Sequence, residues 1–315
     1  MLENSIHARL ENPDPAVRRI AVIDLPYSEE DDVVPYLVAA LADADPGVRL
    51  EAAKALEGYE EAGVVAALVK LLKDSDEQVR AAVGVTLAEL KEQASAGPLL
   101  PYLDDADPGV RGAALRAVRA LRVEAAFAPA IAALADANAP VRREAVGVLG
   151  YLKKPEAIGA LTQAAAFDSD DEVRRAAVGA LGYASDVSVQ PALSRVLADP
   201  AWQVREEAAT TIGKLQLALA IPDLVNAMGD EYWQVRVKAA RALGKLRARA
   251  AVPALCEALR HEMSNLRKEA VIALGEIADP RAITHLEAAM HDSDPDVRKL
   301  SRLALATMVL KGGAA

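Results

Sequence analysis

The residues that could do chemistry in this sequence are few and widely spaced. Its 315 residues include four histidines and a single cysteine. One His-Glu pair, His261-Glu262, has the pattern of a metal ligand beside an acid, and His285 and His291 follow it in the chain. A stable metal site needs three or four converging ligands, so we expect no metal. Cys256 falls on an apolar helical face and is predicted to be a buried hydrophobic side chain rather than a nucleophile.

The sequence contains no recognisable enzyme motif. We find no glycine-rich phosphate loop, no nucleophile elbow and no Ser/His/Asp set marked by its spacing. We therefore predict a protein that has no catalytic residues and no cofactor.

Composition limits both the fold and the partners. Hydrophobic residues make up 52% of the chain and aromatic residues only 3%, so the core must consist of Ala, Leu and Val, which favour closely packed helices. The net charge of −10 argues against binding to nucleic acid or to an anionic membrane. The charge is uneven, since residues 1–107 have a net charge of −13 and residues 108–315 a net charge of +3. This asymmetry could orient a charged partner, or the acidic end could serve solubility alone.

The chain carries no sign of export or membrane insertion. Its first residues, MLENSIHARLEN, lack the basic segment and apolar core of a signal peptide. No apolar run approaches the length that spans a bilayer. We expect a cytoplasmic protein that does not contact membranes.

A Val-Arg pair recurs every 31 residues along the whole chain, with one step of 32. We define its apolar residue as position 0 of a repeat, which gives Val17, Val48, Val79, Val110, Val141, Val173, Val204, Val235, Leu266 and Val297. Apolar residues return at +4, +8 and +11, which is a helical stripe, and a second helical run precedes each loop. Ten two-helix repeats of this kind predict an all-α solenoid of about twenty helices, a single superhelical array over residues 1–315.

Acidic residues occupy two positions of the loop that joins the helices of a repeat. An Asp at −3, or Asn138 in repeat 5, is predicted to cap the second helix. The Asp at −5 is too far out to cap, and we expect it to accept hydrogen bonds from the loop backbone or from the Arg at +1 of an adjacent repeat. The ten arginines at +1 are therefore interpreted as a structural ladder rather than a polyanion-binding surface. The aspartates at −5 are Asp43, Asp74, Asp105, Asp136, Asp168, Asp199, Asp230 and Asp292.

Glycine recurs at +9, near the end of the second helix. Because glycine has no side chain, it allows either close helix packing or a local turn, and both interpretations remain open here. The residues are Gly150, Gly182, Gly213, Gly244 and Gly275.

The repeat motif, in forms such as DSDPDVRKLSRLALA and DSDDEVRRAAVGALGY, resembles HEAT repeats of the short type. That type is found in phycobilisome bilin lyases and in many bacterial scaffold proteins. The resemblance covers essentially the whole chain. It implies that the second helices line a concave face and that the protein acts mainly as a binding surface for another protein.

Three HEAT-like alternatives are enzymatic. A bilin lyase or cofactor-maturation chaperone, which would hold an open-chain tetrapyrrole or a cofactor-bearing client, is the most concrete of them. Deoxyhypusine hydroxylase holds a di-iron centre with several His-Glu pairs, whereas this sequence has one. DNA glycosylases of this type use Trp and Arg on a concave face, but the acidic first third of this chain would repel a nucleic-acid backbone.

Both tryptophans lie in WQVR tetrapeptides, at position −2 of repeats 7 and 8. Position −2 lies about 125° from the centre of the buried stripe, so it should face outward. The same region lacks the capping Asp, because Ala201, Tyr232 and Met263 stand at −3. We predict that Trp202, Tyr232, Trp233 and Met263 contact a partner, since local rules tend to fail at functional sites. Alternatively, the tryptophans fold over the rim and seal gaps between repeats.

Outward positions of the second helices are expected to extend this surface. Position +6 is arginine in repeats 4 and 8, and position +10 is tyrosine in repeats 5 and 6 and lysine in repeats 7 and 8. A basic, partly aromatic surface suits an acidic or aromatic protein segment, or an anionic small molecule. The additional predicted binding residues are Tyr151, Tyr183, Lys214, Arg241 and Lys245.

Overall fold

The computed structural model describes residues 5–184 and 187–312 of the chain, and these form helices and connecting turns without any strand. The fold is an all-α solenoid, as the repeat predicts. The chain consists of two compact units, Met1–Lys153 and Lys154–Ala315, and each unit is built from successive helix pairs.

The first unit contains repeats 1 to 5. Repeat 4 departs from the pattern, because its first segment forms only the 3-10 turns Gln93–Ala96 and Leu100–Tyr102. Pro98 and Pro101 explain this, since a proline in a helix interior removes a hydrogen-bond donor and clashes with the preceding turn. The α-helices are α1 Ile6–Leu10, α2 Pro15–Asp24, α3 Val34–Ala40, α4 Pro46–Ala55, α5 Ala62–Lys70, α6 Glu77–Ala88, α7 Pro108–Arg119, α8 Phe127–Ala133 and α9 Ala139–Leu152.

The second unit contains repeats 6 to 10, and each has both helices. A 3-10 turn leads into every first helix of this unit, for example Ala218–Ala220 before α14. The helices are α10 Ile158–Phe167, α11 Asp171–Ala180, α12 Gln190–Val196, α13 Trp202–Leu215, α14 Ile221–Ala227, α15 Trp233–Lys245, α16 Val252–Ala258, α17 Ser264–Ile277, α18 Ile283–Ala289 and α19 Pro295–Gly312.

The core is the predicted stripe of the second helices. In α13, Val204, Ala208 and Ile212 are completely buried, while Leu215 at +11 is half-buried. Such stripes remove small apolar side chains from water against the neighbouring helices, which provides most of the stability of a solenoid.

The predicted caps form in six repeats and fail in one. The carboxylates at −3 accept hydrogen bonds from backbone N–H groups of the first helical turn; Asp76, for example, binds Gln78 N and Val79 N at 2.8 and 3.1 Å. Asn138 makes no such bond, so its predicted capping role is wrong. The capping residues are Asp14, Asp45, Asp76, Asp107, Asp170 and Asp294.

Three of the glycines at +9, Gly213, Gly244 and Gly275, provide close contact between second helices. A Cβ on Gly213 would lie 2.8 Å from Ala242 Cβ and 2.9 Å from its Cα, and a Cβ on Gly244 would lie 2.8 Å from Ala273 Cα. Close packing is therefore the correct interpretation for Gly213, Gly244 and Gly275, whereas Gly182 lies in the 3-10 turn Leu181–Tyr183. The chain instead leaves the helix at +12, where non-glycine residues such as Gln216 adopt a positive φ of 54°.

Candidate partner-binding site

The arginine at +1 links successive repeats at six steps. Its Nη1 donates to two carbonyl oxygens of its own loop, and Nε and Nη2 donate to the carboxylate at −5 of the following repeat at 2.6–2.9 Å. That carboxylate also accepts the N–H of the residue at −3, as Asp230 does from Tyr232. The predicted structural ladder is confirmed at these steps. Its pairs are Arg18–Asp43, Arg49–Asp74, Arg111–Asp136, Arg174–Asp199, Arg205–Asp230 and Arg267–Asp292.

The pKa is lowered for four of the ladder carboxylates, Asp43, Asp74, Asp230 and Asp292. Hydrogen bonds from Arg49 hold the pKa of Asp74 below its usual value. Burial favours the neutral form of Asp230, but hydrogen bonds from Arg205 and from the N–H of Tyr232 outweigh it and lower the pKa. Because these pKa values are depressed in the folded state, the ionised carboxylates stabilise the fold at a pH above the ordinary pKa of Asp. This stabilisation is lost as the pH falls through the lower pKa of the folded state.

Repeat 3 uses a different cation at this position. Arg80 donates only to the carbonyl oxygens of Asp74 and Ser75, in its own loop. Asp105 is the carboxylate that Arg80 would otherwise bind, and it forms an ion pair with Nζ of Lys73 at 2.5 Å. The ladder is therefore altered here, but the carboxylate still has a cationic partner.

Repeat 8 is the second exception, and here the carboxylate itself is missing. Position −5 of repeat 9 is His261 rather than Asp. Nε of Arg236 turns back to the carbonyl oxygen of Asp230, and no acidic side chain among the described residues forms an ion pair with Arg236. Sequence reasoning missed Arg236, although the histidine at −5 was a visible signal.

Repeats 7 to 9 lack a capping side chain. Helices α13, α15 and α17 have Ala201, Tyr232 and Met263 at their N-caps, and none makes a side-chain capping hydrogen bond, as predicted. We call Trp202, Tyr232, Trp233 and Met263 the aromatic edge. Trp202, Trp233 and Met263 are half-buried, and Tyr232 is 39% exposed.

The two tryptophans of the aromatic edge differ in their contacts. The Trp202 ring stacks on Tyr232 of the next repeat, with 5.5 Å between centroids and an interplanar angle of 14°. The Arg205 guanidinium lies 5.6 Å from the centroid of the same tyrosine ring. Trp233 has no ring partner among the described residues. Trp202 therefore fits the interpretation that a tryptophan seals a gap between repeats, whereas Trp233 remains a candidate contact residue.

The predicted lysines lie at the opposite end of the second helices. Trp202 and Lys214 are twelve residues apart in α13, which places them about 18 Å apart along the helix axis. Lys214 and Lys245 are both exposed, and Lys245 shares a cleft of about 100 Å³ with Arg241. The structure therefore separates the aromatic edge from the basic positions, contrary to the predicted continuous surface.

Acidic residues on the next repeat neutralise part of the predicted basic surface. Arg241 at +6 forms an ion pair with Glu269 at +3 of the following repeat. Arg116 pairs in the same way with Glu144, at 3.0 Å. An arginine at +6 is therefore a link between repeats, and its exposure alone overstates its availability to a partner.

The two predicted tyrosines at +10 have different surroundings. Tyr151, in the first compact unit, is 44% exposed, and the guanidinium carbons of Arg119 and Arg122 each lie 5.7 Å from its ring centroid. Tyr183, in the second unit, donates its hydroxyl hydrogen bond to the carbonyl oxygen of Lys154 at 2.7 Å, and burial raises its pKa. Tyr183 thus helps to hold a loop, and Tyr151 is an exposed ring backed by cations.

The sequence draws attention to His261 and Cys256 as residues that could do chemistry. Within residues 5–184 and 187–312, no group of three or more His, Cys, Asp and Glu residues could hold a metal. Nδ1 of His261 accepts the N–H of Met263 at 3.0 Å. Cys256 is buried, and burial raises the pKa of its thiol.

The family is shown by a sequence comparison. A model of HEAT repeats matches residues 4–88, 65–134, 127–213, 160–232 and 221–306, nearly the whole chain. The chain is a HEAT-repeat protein. No curated protein matches its sequence. Within the described residues of this HEAT-repeat protein, every helix is too short or too polar to cross a membrane.

Solved structures support the same fold. An engineered protein of the Northeast Structural Genomics Consortium is 22% identical, with a TM-score of 0.56 and coverage of 96% of this HEAT-repeat chain and 98% of its own. Kap95p, whose binding induces the switch loops of RanGDP to adopt the GTP-bound conformation, is 16% identical with a TM-score of 0.67. Kap95 in complex with Nup1 is 15% identical with a TM-score of 0.64. The alignments cover 96% of this chain but only 49% and 50% of the Kap95 chains, and at these identities they show the fold alone.

Proposed function

We propose that this HEAT-repeat protein is a non-catalytic, cytoplasmic scaffold that binds a partner protein, with the aromatic edge as its central contact. The observation that carries the proposal is the loss of the capping residue in three consecutive repeats. Each lost cap costs about 1 kcal/mol of stability. Partly exposed Trp, Tyr and Met side chains stand at these cap positions or one residue after them, and aromatic side chains dominate the binding energy of protein interfaces.

The exposed cations support a partner segment with acidic and aromatic residues. Lys214 and Lys245 are exposed at the far ends of α13 and α15. An extended segment would be needed to contact both ends of these helices, given the distance of about 18 Å. Two of the similar solved structures contain Kap95 together with another protein, which is consistent with a protein-binding role.

Capture of the partner with a Trp233→Ala variant tests this function. Trp233 is half-buried without a ring partner in the described chain, so its truncation should leave the fold intact. Truncation of an interface anchor typically costs about 2–4 kcal/mol of binding free energy. We expect proteins that the parent captures from lysate, identified by mass spectrometry, to be lost with Trp233→Ala. The melting midpoint of each variant shows whether it is folded.

Tyr27→Ala is the matched control, because Tyr27 is 88% exposed and lies in the first compact unit. It should capture the same proteins as the parent. If Trp233→Ala also retained every captured protein, the aromatic edge would not be the binding surface. The tetrapyrrole-holding alternative has a separate readout, since a bound bilin would absorb visible light in the purified protein.

A further inference from the structure

Between repeats 8 and 9 the ladder presents an arginine without a carboxylate. The arginines of the flanking steps, Arg205 and Arg267, are each only 8% exposed and bind Asp230 and Asp292. Arg236, at the same register position, is half-buried and donates Nε to a backbone carbonyl oxygen. Arg236 as a residue is therefore more exposed than the arginines of the flanking steps.

His261 performs one of the two roles of the missing aspartate. The aspartate at −5 orders the loop by accepting the N–H at −3, as Asp292 does from Asp294 at 2.8 Å. Nδ1 of His261 accepts the N–H of Met263 in the same way, at 3.0 Å. A neutral imidazole whose Nδ1 accepts carries its proton on Nε2, so it has no second acceptor to offer a guanidinium. The loop is thus ordered while Arg236 is left without an anion.

A cleft opens at this step. It has a volume of about 250 Å³, and its polar lining includes Arg236, Arg260 and His261. Met228 and Leu266 contribute apolar walls. Its acidic lining residue, Glu257, pairs with Arg260 at 3.0 Å, and no carboxylate of the described residues forms an ion pair with Arg236.

We propose that this cleft binds a carboxylate of the partner protein, which takes the place of the aspartate missing from the ladder. A guanidinium fork binds a carboxylate through two parallel hydrogen bonds, as Arg205 and Arg267 do on either side. Nε2–H of His261 supplies a further donor. Only the origin of the carboxylate, a partner protein, rests on the proposed scaffold function, because the cleft itself needs no partner to be tested.

Titration with short peptides tests the cleft directly. The histidines are labelled at Cε1, and His261 is assigned by substitution and observed by NMR. Acetyl-Gly-Asp-Gly-amide supplies a side-chain carboxylate, acetyl-triglycine supplies a terminal one, and acetyl-Gly-Asn-Gly-amide supplies none. We expect the His261 signal to shift saturably with a carboxylate peptide and not with the asparagine peptide. The peptide that binds more tightly identifies the source of the carboxylate.

Two arginine variants give the matched control. Arg236→Ala should weaken peptide binding about 10-fold to 100-fold, the effect of losing hydrogen bonds to a charged group. Arg298→Ala removes the same charge at the same register position of repeat 10, where Arg298 donates to the carbonyl oxygens of Asp292 and Ser293, and it should leave binding unchanged. Equal binding by Arg236→Ala and the parent, or equal shifts from the asparagine peptide, would overturn the proposal.

His261→Asp completes the ladder from within the chain. It should raise the melting midpoint of the protein, and the carboxylate peptide should then give no further rise, although it does so in the parent. An unchanged response to the peptide would contradict the proposal. Failure of the capture experiment with a positive peptide titration would refute the scaffold function alone, and the opposite pattern would refute the cleft alone.

Discussion

The two WQVR tetrapeptides have the same sequence and the same register, yet their surroundings differ. Arg205 of the first copy binds Asp230, whereas Arg236 of the second faces a repeat with His261 in that place. Trp202 stacks on a tyrosine, while Trp233 has no ring partner in the described chain. The following repeat, rather than the tetrapeptide itself, therefore determines what each copy contacts.

The glutamines of the two copies differ as well. Oε1 of Gln234 is buried without a hydrogen-bond partner in the described structure, and Gln203 has no such unsatisfied atom. An unpaired buried polar atom costs about 1–3 kcal/mol. The second copy thus combines an unpaired arginine, an unsatisfied amide and an unstacked tryptophan. These features mark the step between repeats 8 and 9 as less optimised for stability than the step before it.

The largest expected difference in the free energy of unfolding is between the Arg205→Ala and Arg236→Ala variants. Loss of Arg205 leaves the carboxylate of Asp230 without its cation in a largely buried place, and breaking such a pair costs about 3 kcal/mol or more. Loss of Arg236 removes only a hydrogen bond to a carbonyl oxygen, which costs about 1 kcal/mol. Urea unfolding followed by circular dichroism measures both.

Asp230→Asn is the control for this comparison, because it removes the carboxylate while it keeps an acceptor for the N–H of Tyr232. It should reproduce most of the loss that Arg205→Ala causes. Equal losses for the two arginine variants would mean that the ladder contributes no more at the complete step than at the incomplete one.

The sequence predicts the fold well because the apolar positions that form the core recur within each repeat. The recurring Val-Arg pair marks a repeat of two helices. The aspartate at −3 correctly predicts the helix caps in six repeats, and the aspartate at −5 correctly predicts the carboxylates of the ladder. The prolines at positions 98 and 101 were a visible signal that repeat 4 would lose its first α-helix. Gln216 at +12 adopts a left-handed conformation without the glycine that usually marks one, so no sequence signal was available there.

The candidate site was harder to predict because it depends on contacts between repeats. The angle of position −2 around the helix axis predicts only which way Trp202 faces relative to the core of α13. It could not reveal that Tyr232 in the loop of the next repeat stacks on Trp202. Pairing of Arg241 with Glu269 likewise joins positions +6 and +3 of different repeats. A pattern within one repeat does not give the angle and offset between two repeats, on which such contacts depend.

Substitution of the glycines at +9 should lower stability by similar amounts at the two steps. Gly213 and Gly244 each lie so close to an alanine of the next helix that an added methyl group would meet its Cα at 2.9 and 2.8 Å. Overpacking of this kind costs about 1–3 kcal/mol. We expect Gly213→Ala and Gly244→Ala to lower the free energy of unfolding by similar amounts in urea titrations.

Gly84→Ala is the matched control in α6, where an added Cβ would have no neighbour within 4 Å. Because alanine favours a helix over glycine by about 1 kcal/mol, this variant should be stabilised. A clear difference between the Gly213 and Gly244 variants would show that the two steps differ in helix packing as well as in their loops.

The smallest expected effect concerns the tryptophans. A stacked aromatic pair contributes about 0.5–1.5 kcal/mol beyond the burial of its surface. A double-mutant cycle of Trp202→Ala and Tyr232→Ala should therefore give a coupling energy in that range, since the two rings stack at 5.5 Å. The equivalent cycle of Trp233→Ala and Met263→Ala should give a smaller coupling, because no aromatic ring stands at −3 of repeat 9 to stack on Trp233. Tryptophan fluorescence provides an independent readout: acrylamide should quench Trp233 more strongly than Trp202, measured in the Trp202→Phe and Trp233→Phe variants. Equal coupling energies with equal quenching would mean that both copies seal their gaps alike, and the surface for a partner would then have to be sought at the cations of the second helices.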